Sequence, residues 1–83
     1  MATVQVHLPD DTFTVARRSP DEVEREMRVA LAVRWYAQGL VSQEMAAQIA
    51  GADRVSFLRA LSEAGVSPFQ ETLDDIVKAI PRD

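Results

Sequence analysis

The chain contains no cysteine and one histidine, His7. These absences exclude a disulfide framework and most zinc sites, because zinc is held mainly by cysteine and histidine. No stretch approaches the ~20 apolar residues that a transmembrane helix needs. The first residues also lack the basic segment and long apolar run of a signal peptide. We therefore expect a soluble, cytoplasmic protein with no metal, no other cofactor and no membrane contact.

Groups that could carry catalysis are scarce and do not converge. His7 lies in a predicted strand without a serine or cysteine arrangement around it. The acid pairs Asp10-Asp11 and Asp74-Asp75 are adjacent in sequence, so their side chains diverge. Because catalysis needs groups that converge in a cleft, we expect no enzyme.

Acidic residues outnumber basic ones by 13 to 9, which gives a net charge of −4. A free-standing, non-specific DNA-binding protein would carry a basic surface. DNA binding would therefore need a local basic face, such as a dimer can present. A chain of 83 residues also buries only about 60% of its unfolded surface. Since no disulfide is available, a homodimer is the expected remedy.

The N-terminal residues 3–18 are predicted to form a short β element. Polar and apolar side chains alternate over residues 3–8, as in a half-buried strand; its apolar face is Val4, Val6 and Leu8. Residues 12–15 alternate again, and either pair back as a second strand or form an irregular turn. A lone strand is unstable, so pairing occurs within the chain or across a dimer. The cross-dimer form would resemble ribbon-helix-helix proteins, whose polar strand face meets DNA bases; otherwise that face meets water.

The segment Ser19–Glu22 carries the clearest helix-start signal. Ser19 is placed as the N-cap, Pro20 at the first helical position, and Glu22 completes a capping box. The helix is predicted to run to about Gln38, and Gly39 ends it in the left-handed conformation. Apolar residues at every fourth position are predicted to form its core stripe, with Tyr36 at the rim: Val23, Met27, Leu31 and Trp35.

Two short helices joined by a tight turn are predicted next. Ser42 caps the first helix, Gly51 supplies the left-handed residue that closes it, and Asp53 caps the second. Ala47 is small where the second helix passes close, and Phe57 is the bulky residue that locks the pair. This is the plan of a helix-turn-helix. Other two-helix hairpins with an alanine-rich face match as well, so the pattern fits DNA binding and protein interaction alike.

If the second helix of this pair enters the major groove, its start and outer face contact DNA. Arg54, Ser56 and Arg59 lie there, and arginine either contacts guanine edges or clamps phosphate. Gln43, at the start of the first helix, is placed to contact phosphate through its side chain or backbone N–H. In the alternative interpretation, Arg54 and Arg59 are ordinary surface charges paired with neighbouring acids.

Residues 67–83 are predicted to form an amphipathic tail. A short helix begins at Thr72 and stops before Pro81. About nine residues are too few to hold a helix alone in water, so the apolar stripe needs a surface. Either the protein's own core or a partner supplies it. The predicted partner-binding residues are those of the stripe: Leu73, Ile76, Val77 and Ile80.

These patterns resemble the small prokaryotic proteins of uncharacterised protein family 0175. The resemblance covers Thr3–Ile80 and is most specific over Ala30–Val66, which contains ALAVRWYAQGLVSQEMAAQIAG and VSFLRALSEAGV. Residues 12–15 depart from it, since relatives are more helix-like there. Members resemble antitoxins that are often encoded beside a PIN-domain ribonuclease toxin. The resemblance therefore implies operator DNA binding for autoregulation and toxin binding through the tail.

The sequence thus predicts a mainly α fold: a small helical domain with a helix-turn-helix-like pair and a short N-terminal β-strand or hairpin. The predicted parts of the single domain 1–83 are the β element 3–18, a three-helix core 19–66 that includes the pair 42–64, and the tail 67–83. The predicted function is a homodimeric, DNA-binding, antitoxin-like regulator that binds DNA through helix 53–64. The alternative is a protein–protein interaction module that never binds DNA.

Ile76→Asp tests the tail. If the tail binds a toxin as an amphipathic helix in a groove, the variant keeps its melting temperature and loses toxin capture, which is the result we expect. If the stripe packs on the protein's own core, the melting temperature falls, because a buried aliphatic side chain stabilises by about 1.5–3 kcal/mol. Thermal melting and pull-down with the nuclease of a neighbouring gene measure both. Lys78→Asp, at a position outside the stripe, is the control. A large melting shift with capture retained would contradict partner binding.

Overall fold

A computed structural model of the chain describes residues 2–68. In this range four helices follow one another: α1 (Thr12–Ala16), α2 (Pro20–Ala37), α3 (Gln43–Ala50) and α4 (Arg54–Glu63). The predicted mainly helical class is confirmed. The predicted stripe of Leu73, Ile76, Val77 and Ile80 lies outside the described residues, and the division into one domain with a tail stays a prediction.

The predicted N-terminal β element is wrong for the part of the chain that the structure describes. Residues 3–8 have no regular secondary structure, and residues 12–15 belong to helix α1. Local hydrogen bonds explain the change: the Thr12 N–H donates to the Pro9 carbonyl at 3.1 Å, and the Val15 N–H donates to the Asp11 carbonyl at 2.9 Å. These turn bonds satisfy the backbone without a second strand, whereas a strand needs a partner that residues 2–68 do not provide.

Helix α2 begins and ends as its sequence signals predict. The Ser19 hydroxyl accepts from the Glu22 N–H, and the Glu22 carboxylate accepts from the Ser19 N–H, each at 3.2 Å. This reciprocal pair is the predicted capping box. At the other end, Gly39 has φ +74°, and the Leu40 N–H donates to the Trp35 carbonyl at 2.9 Å. The helix therefore closes in a Schellman motif.

The core lies where α2, α3 and α4 meet. Its three large members fill the space between the helices, and the Tyr36 ring meets the Phe57 ring edge-on, with centroids 6.3 Å apart and planes at 83°. Such an edge-to-face pair adds to the stabilisation from buried area. Alanines at the remaining core positions let the helix backbones approach closely. The buried residues are Ala32, Tyr36, Ala46, Ala50, Phe57 and Leu61.

The predicted core stripe of α2 is the wrong face of the helix. Met27, Leu31 and Trp35 remain 39%, 40% and 36% exposed, whereas Ala32 and Tyr36 are buried. The prediction followed the largest apolar side chains. Close packing of α3 against α2 instead selects the face with a small residue, so Ala32 lies at the contact and Tyr36 fills the adjoining space. Among the described helices, none has the length and apolar content that crossing a bilayer requires.

The turn between α3 and α4 has the predicted geometry. Gly51 has φ +68°, and the Ala52 N–H donates to the Ala47 carbonyl at 3.1 Å. The Asp53 carboxylate then accepts from the Ser56 N–H at 2.7 Å and caps α4. The predicted left-handed glycine and N-cap are both confirmed. Helices α3 and α4 are therefore joined by a three-residue turn, residues 51–53.

The guanidinium of Arg28 lies against this turn. Its Nε donates to the Ile49 carbonyl at 2.9 Å, and its Nη2 donates to the Gln48 carbonyl at 3.4 Å. These carbonyls belong to the last turn of α3, where helices leave unsatisfied acceptors and where positive charge is favourable. A Cβ added to Gly51 would stand 2.8 Å from Arg28 Nη1. Gly51 therefore provides both the left-handed conformation and the space for the guanidinium.

Gly51→Ala and Gly65→Ala separate these two roles. Both glycines have positive φ, but an added Cβ at Gly65 meets nothing within 4 Å. We expect Gly65→Ala to cost about 1–2 kcal/mol from left-handed strain alone. Gly51→Ala should cost slightly more, because the added Cβ also displaces the flexible end of the Arg28 side chain from its hydrogen bonds. The free energies of unfolding come from urea denaturation.

A double variant supplies the control. In the Arg28→Ala background, Gly51→Ala should cost no more than Gly65→Ala, because the clashing group is gone. Equal costs for the two glycine substitutions in the wild-type background would contradict the role of Arg28.

Candidate nucleic-acid interface

Helix α4 has a fixed inner face and an exposed outer face. Phe57 and Leu61 are fully buried in the core and hold the helix in place. Val55 and Arg59 lie one turn apart on the outer face, and Val55 is 69% exposed. Arg54 is the first residue of the helix and is also exposed. The helix therefore presents a cation at its start and a cation beside an apolar side chain on its outer face.

The guanidinium groups of Arg54 and Arg59 form neither a salt bridge nor a hydrogen bond within residues 2–68. In this range the salt bridge joins Arg18 to Glu26, at 2.9 Å. In the described structure neither arginine therefore forms the close ion pair of that alternative, and Arg59 acts on the neighbouring Asp53 through its charge alone. Both donor forks remain available to an external acceptor, and a guanidinium matches either a guanine edge or a phosphate.

Asp53 places a negative charge at the start of the same helix. Hydrogen bonds from Ser56, first from its backbone N–H and then from its side chain, hold the pKa of the Asp53 carboxyl below its ordinary value; the N–H of Val55 and the charge of Arg59 add to this. The carboxylate is thus kept ionised as the N-cap. The predicted DNA contact Ser56 is exposed, but its polar groups already serve this cap. An external ligand at this end of α4 therefore meets the fixed negative charge of Asp53 together with the positive charges of Arg54 and Arg59.

The side chain of Gln43 forms a hydrogen bond within the protein. Its Nε2 donates to the Pro68 carbonyl at 2.8 Å, and the Tyr36 hydroxyl donates to the same oxygen at 2.9 Å. These bonds fix the connector that follows α4. A phosphate contact from Gln43 would therefore use its backbone N–H, which lies in the first turn of α3.

The long-range hydrogen bonds of two positioning residues, Arg28 and Tyr36, could not be predicted from local sequence patterns. Arg28 bonds carbonyls 20 and 21 positions away, and Tyr36 bonds a carbonyl 32 positions away. Periodicity and capping rules act over one or two helical turns, so they miss contacts of this kind. Arg28 holds α3 and Tyr36 holds the connector, and both therefore determine how α4 is presented.

The described residues carry a small net negative charge, and the α3–α4 pair has few basic side chains. Residues 2–68 contain seven basic and nine acidic side chains, a net charge of −2. The α3–α4 unit itself has two basic residues, both on α4, against the acids Glu44, Asp53 and Glu63. Such a surface offers few phosphate contacts, so its chemistry suits directional hydrogen bonds better than bulk charge neutralisation. In the described range no group of three or more His, Cys, Asp or Glu side chains is placed to hold a metal ion.

Comparison with known proteins identifies the family. The model of the uncharacterised protein family UPF0175 matches residues 1–80. The chain belongs to UPF0175. A UPF0175 protein of Aeropyrum pernix is 38% identical over 50 residues, which cover 60% of this chain and 56% of that relative. The match thus spans little more than half the length of that relative. No solved structure matches the chain.

Membership confirms the resemblance inferred from the sequence. All four described helices of this UPF0175 chain fall within the matched residues.

The lowered pKa of Asp53 predicts a pH dependence. A carboxyl with a lower pKa in the folded state stabilises the fold above its unfolded pKa of about 4 and loses that contribution as pH falls through the folded value. Asp53→Asn keeps an N-cap acceptor and has no charge to lose. We therefore expect its stability to fall less steeply than that of the wild type below pH ~4.

Urea unfolding between neutral and acidic pH measures this difference. Asp21→Asn removes an exposed acid from the first turn of α2 that is not the N-cap, and serves as the matched control for the loss of one negative charge. An Asp53→Asn profile parallel to the wild type would contradict the assignment.

Proposed function

We propose that this UPF0175 protein is a DNA-binding, antitoxin-like regulator that acts as a homodimer in the cytoplasm. It works by binding and performs no catalysis. The observation that carries the proposal is the outer face of α4: two exposed guanidinium groups, of Arg54 and Arg59, without partners in the described structure. They flank the exposed Val55 on a helix whose opposite face is buried.

The presentation of α4 suits DNA recognition. Contacts with bases need side chains on a rigid element, and α4 is held by Phe57 and Leu61 in the core and by the Asp53 cap. In helix-turn-helix proteins the N-terminal residues of the second helix contact base edges in the major groove. Arg54 and Arg59 would each donate two hydrogen bonds to guanine, and Val55 would contact a thymine methyl group.

The net charge supports specific binding at an operator over general DNA binding. Each neutralised phosphate contributes about −0.9 to the slope of log K against log salt, and one copy offers two arginines on α4. A monomer would therefore bind weakly. Two copies on paired half-sites double the contacts, which is the usual arrangement for helix-turn-helix dimers.

The proposed second partner is a PIN-domain toxin, bound by the tail. The segment after Val66 has two basic and four acidic residues, which suits a basic nuclease surface. The Pro68 carbonyl is held by Tyr36 and Gln43, so the point where the tail leaves the core is fixed. The proposed contacts, Leu73, Ile76, Val77 and Ile80, lie beyond the described residues, and their role follows from sequence pattern and from the resemblance to antitoxins.

An interaction module that never binds DNA is the second candidate. The net charge of −4 and the 69% exposure of Val55 favour it, because an apolar side chain beside arginine is also typical of protein interfaces. In that case the same face of α4 contacts a protein, and added DNA does not compete with that protein for the face.

Arg59→Ala tests the DNA interface. Binding to the protein's own upstream DNA is measured by fluorescence anisotropy at two salt concentrations. A lost base contact should cost about 1–3 kcal/mol and relax preference at one position, whereas a lost phosphate contact should weaken binding to all sequences alike. The fold should be unchanged, because Arg59 is exposed and unbonded.

Arg25→Ala, which removes an exposed arginine from α2, is the charge-matched control and should leave DNA binding within about twofold of wild type, since it lies outside the proposed contact face. Failure of the wild type to bind its upstream DNA at low salt would overturn DNA binding and leave the interaction module.

A further inference from the structure

An open groove lies between α2 and the C-terminal end of α4. It has a volume of about 990 Å³ and extends along α2 from Glu22 to Gln38. Between these two residues a helix rises about 24 Å, at about 1.5 Å per residue. An elongated apolar groove between helices is the shape that receives a further helix. The small apolar residues that line it include Val29, Ala30, Val33, Ala37, Ala60 and Ala64.

Small side chains determine how closely another helix can approach α2 in this groove. Ala30 is exposed, and Val29 and Val33 are half-buried. Helices that pack through small residues approach to about 8 Å between their axes, the lower end of the usual range. A helix in the groove would therefore contact α2 closely along its length.

The residues around Ala30 form a symmetric pattern on α2. Residues three, four, seven and eight positions away lie on the same helix face as Ala30. Apolar residues stand at three and seven positions on both sides, opposite charges at four, and a carboxylate with an amide at eight. A face of this kind is complementary to its own copy when the copy runs antiparallel. The pairs are Met27 with Val33, Glu26 with Arg34, Val23 with Ala37, and Glu22 with Gln38.

We propose that α2 of a second copy occupies this groove, antiparallel to the first α2, with a two-fold axis passing beside Ala30. By symmetry, each α2 lies in the groove of the other copy. The inference rests on the homodimer of the proposed function and specifies its interface; it does not require DNA binding. Val55 and Arg59 do not line the groove, so the outer face of α4 stays exposed in this dimer.

Charge complementarity favours a second copy as the occupant. The guanidinium of Arg34 forms no salt bridge within residues 2–68. Glu26 binds Arg18 through Oε1 at 2.9 Å, which leaves Oε2 as an acceptor for a second guanidinium. In the antiparallel dimer, Glu26 of each copy lies opposite Arg34 of the other. A single copy cannot form this pair, because the two residues are eight positions, or about 12 Å, apart along one helix.

Other positions of the two-fold axis lose this match. Centring the axis on Val33 would place Glu26 opposite Leu40, which lies beyond the end of α2. Centring it on Glu26 would place that carboxylate beside its own copy. About Ala30, residues 23–37 of the two helices overlap over about 21 Å, at about 1.5 Å per residue. The sequence therefore favours one register, and in that register the two helices overlap over most of their length.

Charge exchange tests the interface by sedimentation equilibrium of the full chain. The wild type should dimerise at micromolar concentration. Glu26→Arg and Arg34→Glu should each weaken self-association about tenfold, because two attractive contacts become repulsive. An equimolar mixture of the two variants should form a heterodimer with an affinity within about twofold of the wild type, since the charges at both contacts are opposite again.

A second mixture with the same net charges is the control. Glu24→Arg changes the charge as Glu26→Arg does, at an exposed position of α2 that does not line the groove. Mixed with Arg34→Glu, it should not restore the wild-type affinity, because one of the two contacts remains repulsive. Circular dichroism on each variant checks that the helices remain folded.

Disulfide cross-linking tests the position of the axis, since the chain has no cysteine of its own. Ala30→Cys should form a covalent dimer under mild oxidation, because facing Cα atoms of closely packed helices come within the range that a disulfide spans. Glu24→Cys, at an exposed position on another face of α2, should cross-link much less.

The outcomes separate this interface from the proposed function. A monomeric wild type overturns the interface and the homodimer together. A dimer that ignores both charge exchanges, or that the first mixture does not restore, overturns the interface and leaves the homodimer in place. Cross-linking of Glu24→Cys as readily as Ala30→Cys does the same. A covalent Ala30→Cys dimer that binds no upstream DNA supports the interface and overturns the DNA proposal alone.

Discussion

The packing of this small protein depends on one guanidinium. Arg28 reaches from the middle of α2 to the last carbonyls of α3, where a helix has acceptors left over and a partial negative charge. The bonds hold the end of α3 against α2, and the glycine that follows leaves room for the guanidinium. The direction in which the chain enters α4 is set at that point. The exposed arginines of α4 are therefore oriented by the turn that precedes the helix.

The core is small because α2, α3 and α4 pack closely together. Half of the six residues that are buried in the described range are alanine, and these contribute little area but allow the helix backbones to approach. The large side chains Tyr36, Phe57 and Leu61 then fill the small space that remains between the three helices. A core so limited cannot also bury the large residues of the other face of α2. Those residues remain on the surface, where their apolar area is in unfavourable contact with water and is available for burial against another molecule.

Local features of this fold were predictable, and features set by distant contacts were not. Ser19, Ser42 and Asp53 cap helices because a side-chain oxygen meets an N–H three residues on, and the glycines close helices through their own φ; both effects lie within one turn of chain. The face of α2 that packs depends on how closely α3 approaches, so ranking side chains by size chose Leu31 over Ala32. The exposed positions of α4 followed from the spacing of Phe57 and Leu61. The engagement of Gln43 with Pro68 did not, because the two are 25 positions apart.

The position of the chain's single tryptophan gives this protein an internal optical probe. Trp35 stands on the outer face of α2 and is 36% exposed, while the buried aromatic residues are Tyr36 and Phe57. Its emission wavelength therefore reports the solvation of the outer face and is nearly blind to the packing of the core. Covering that face would shift the indole emission to the blue while the backbone signal of the helices stayed constant. Assembly and folding can thus be followed as separate signals in the unlabelled protein.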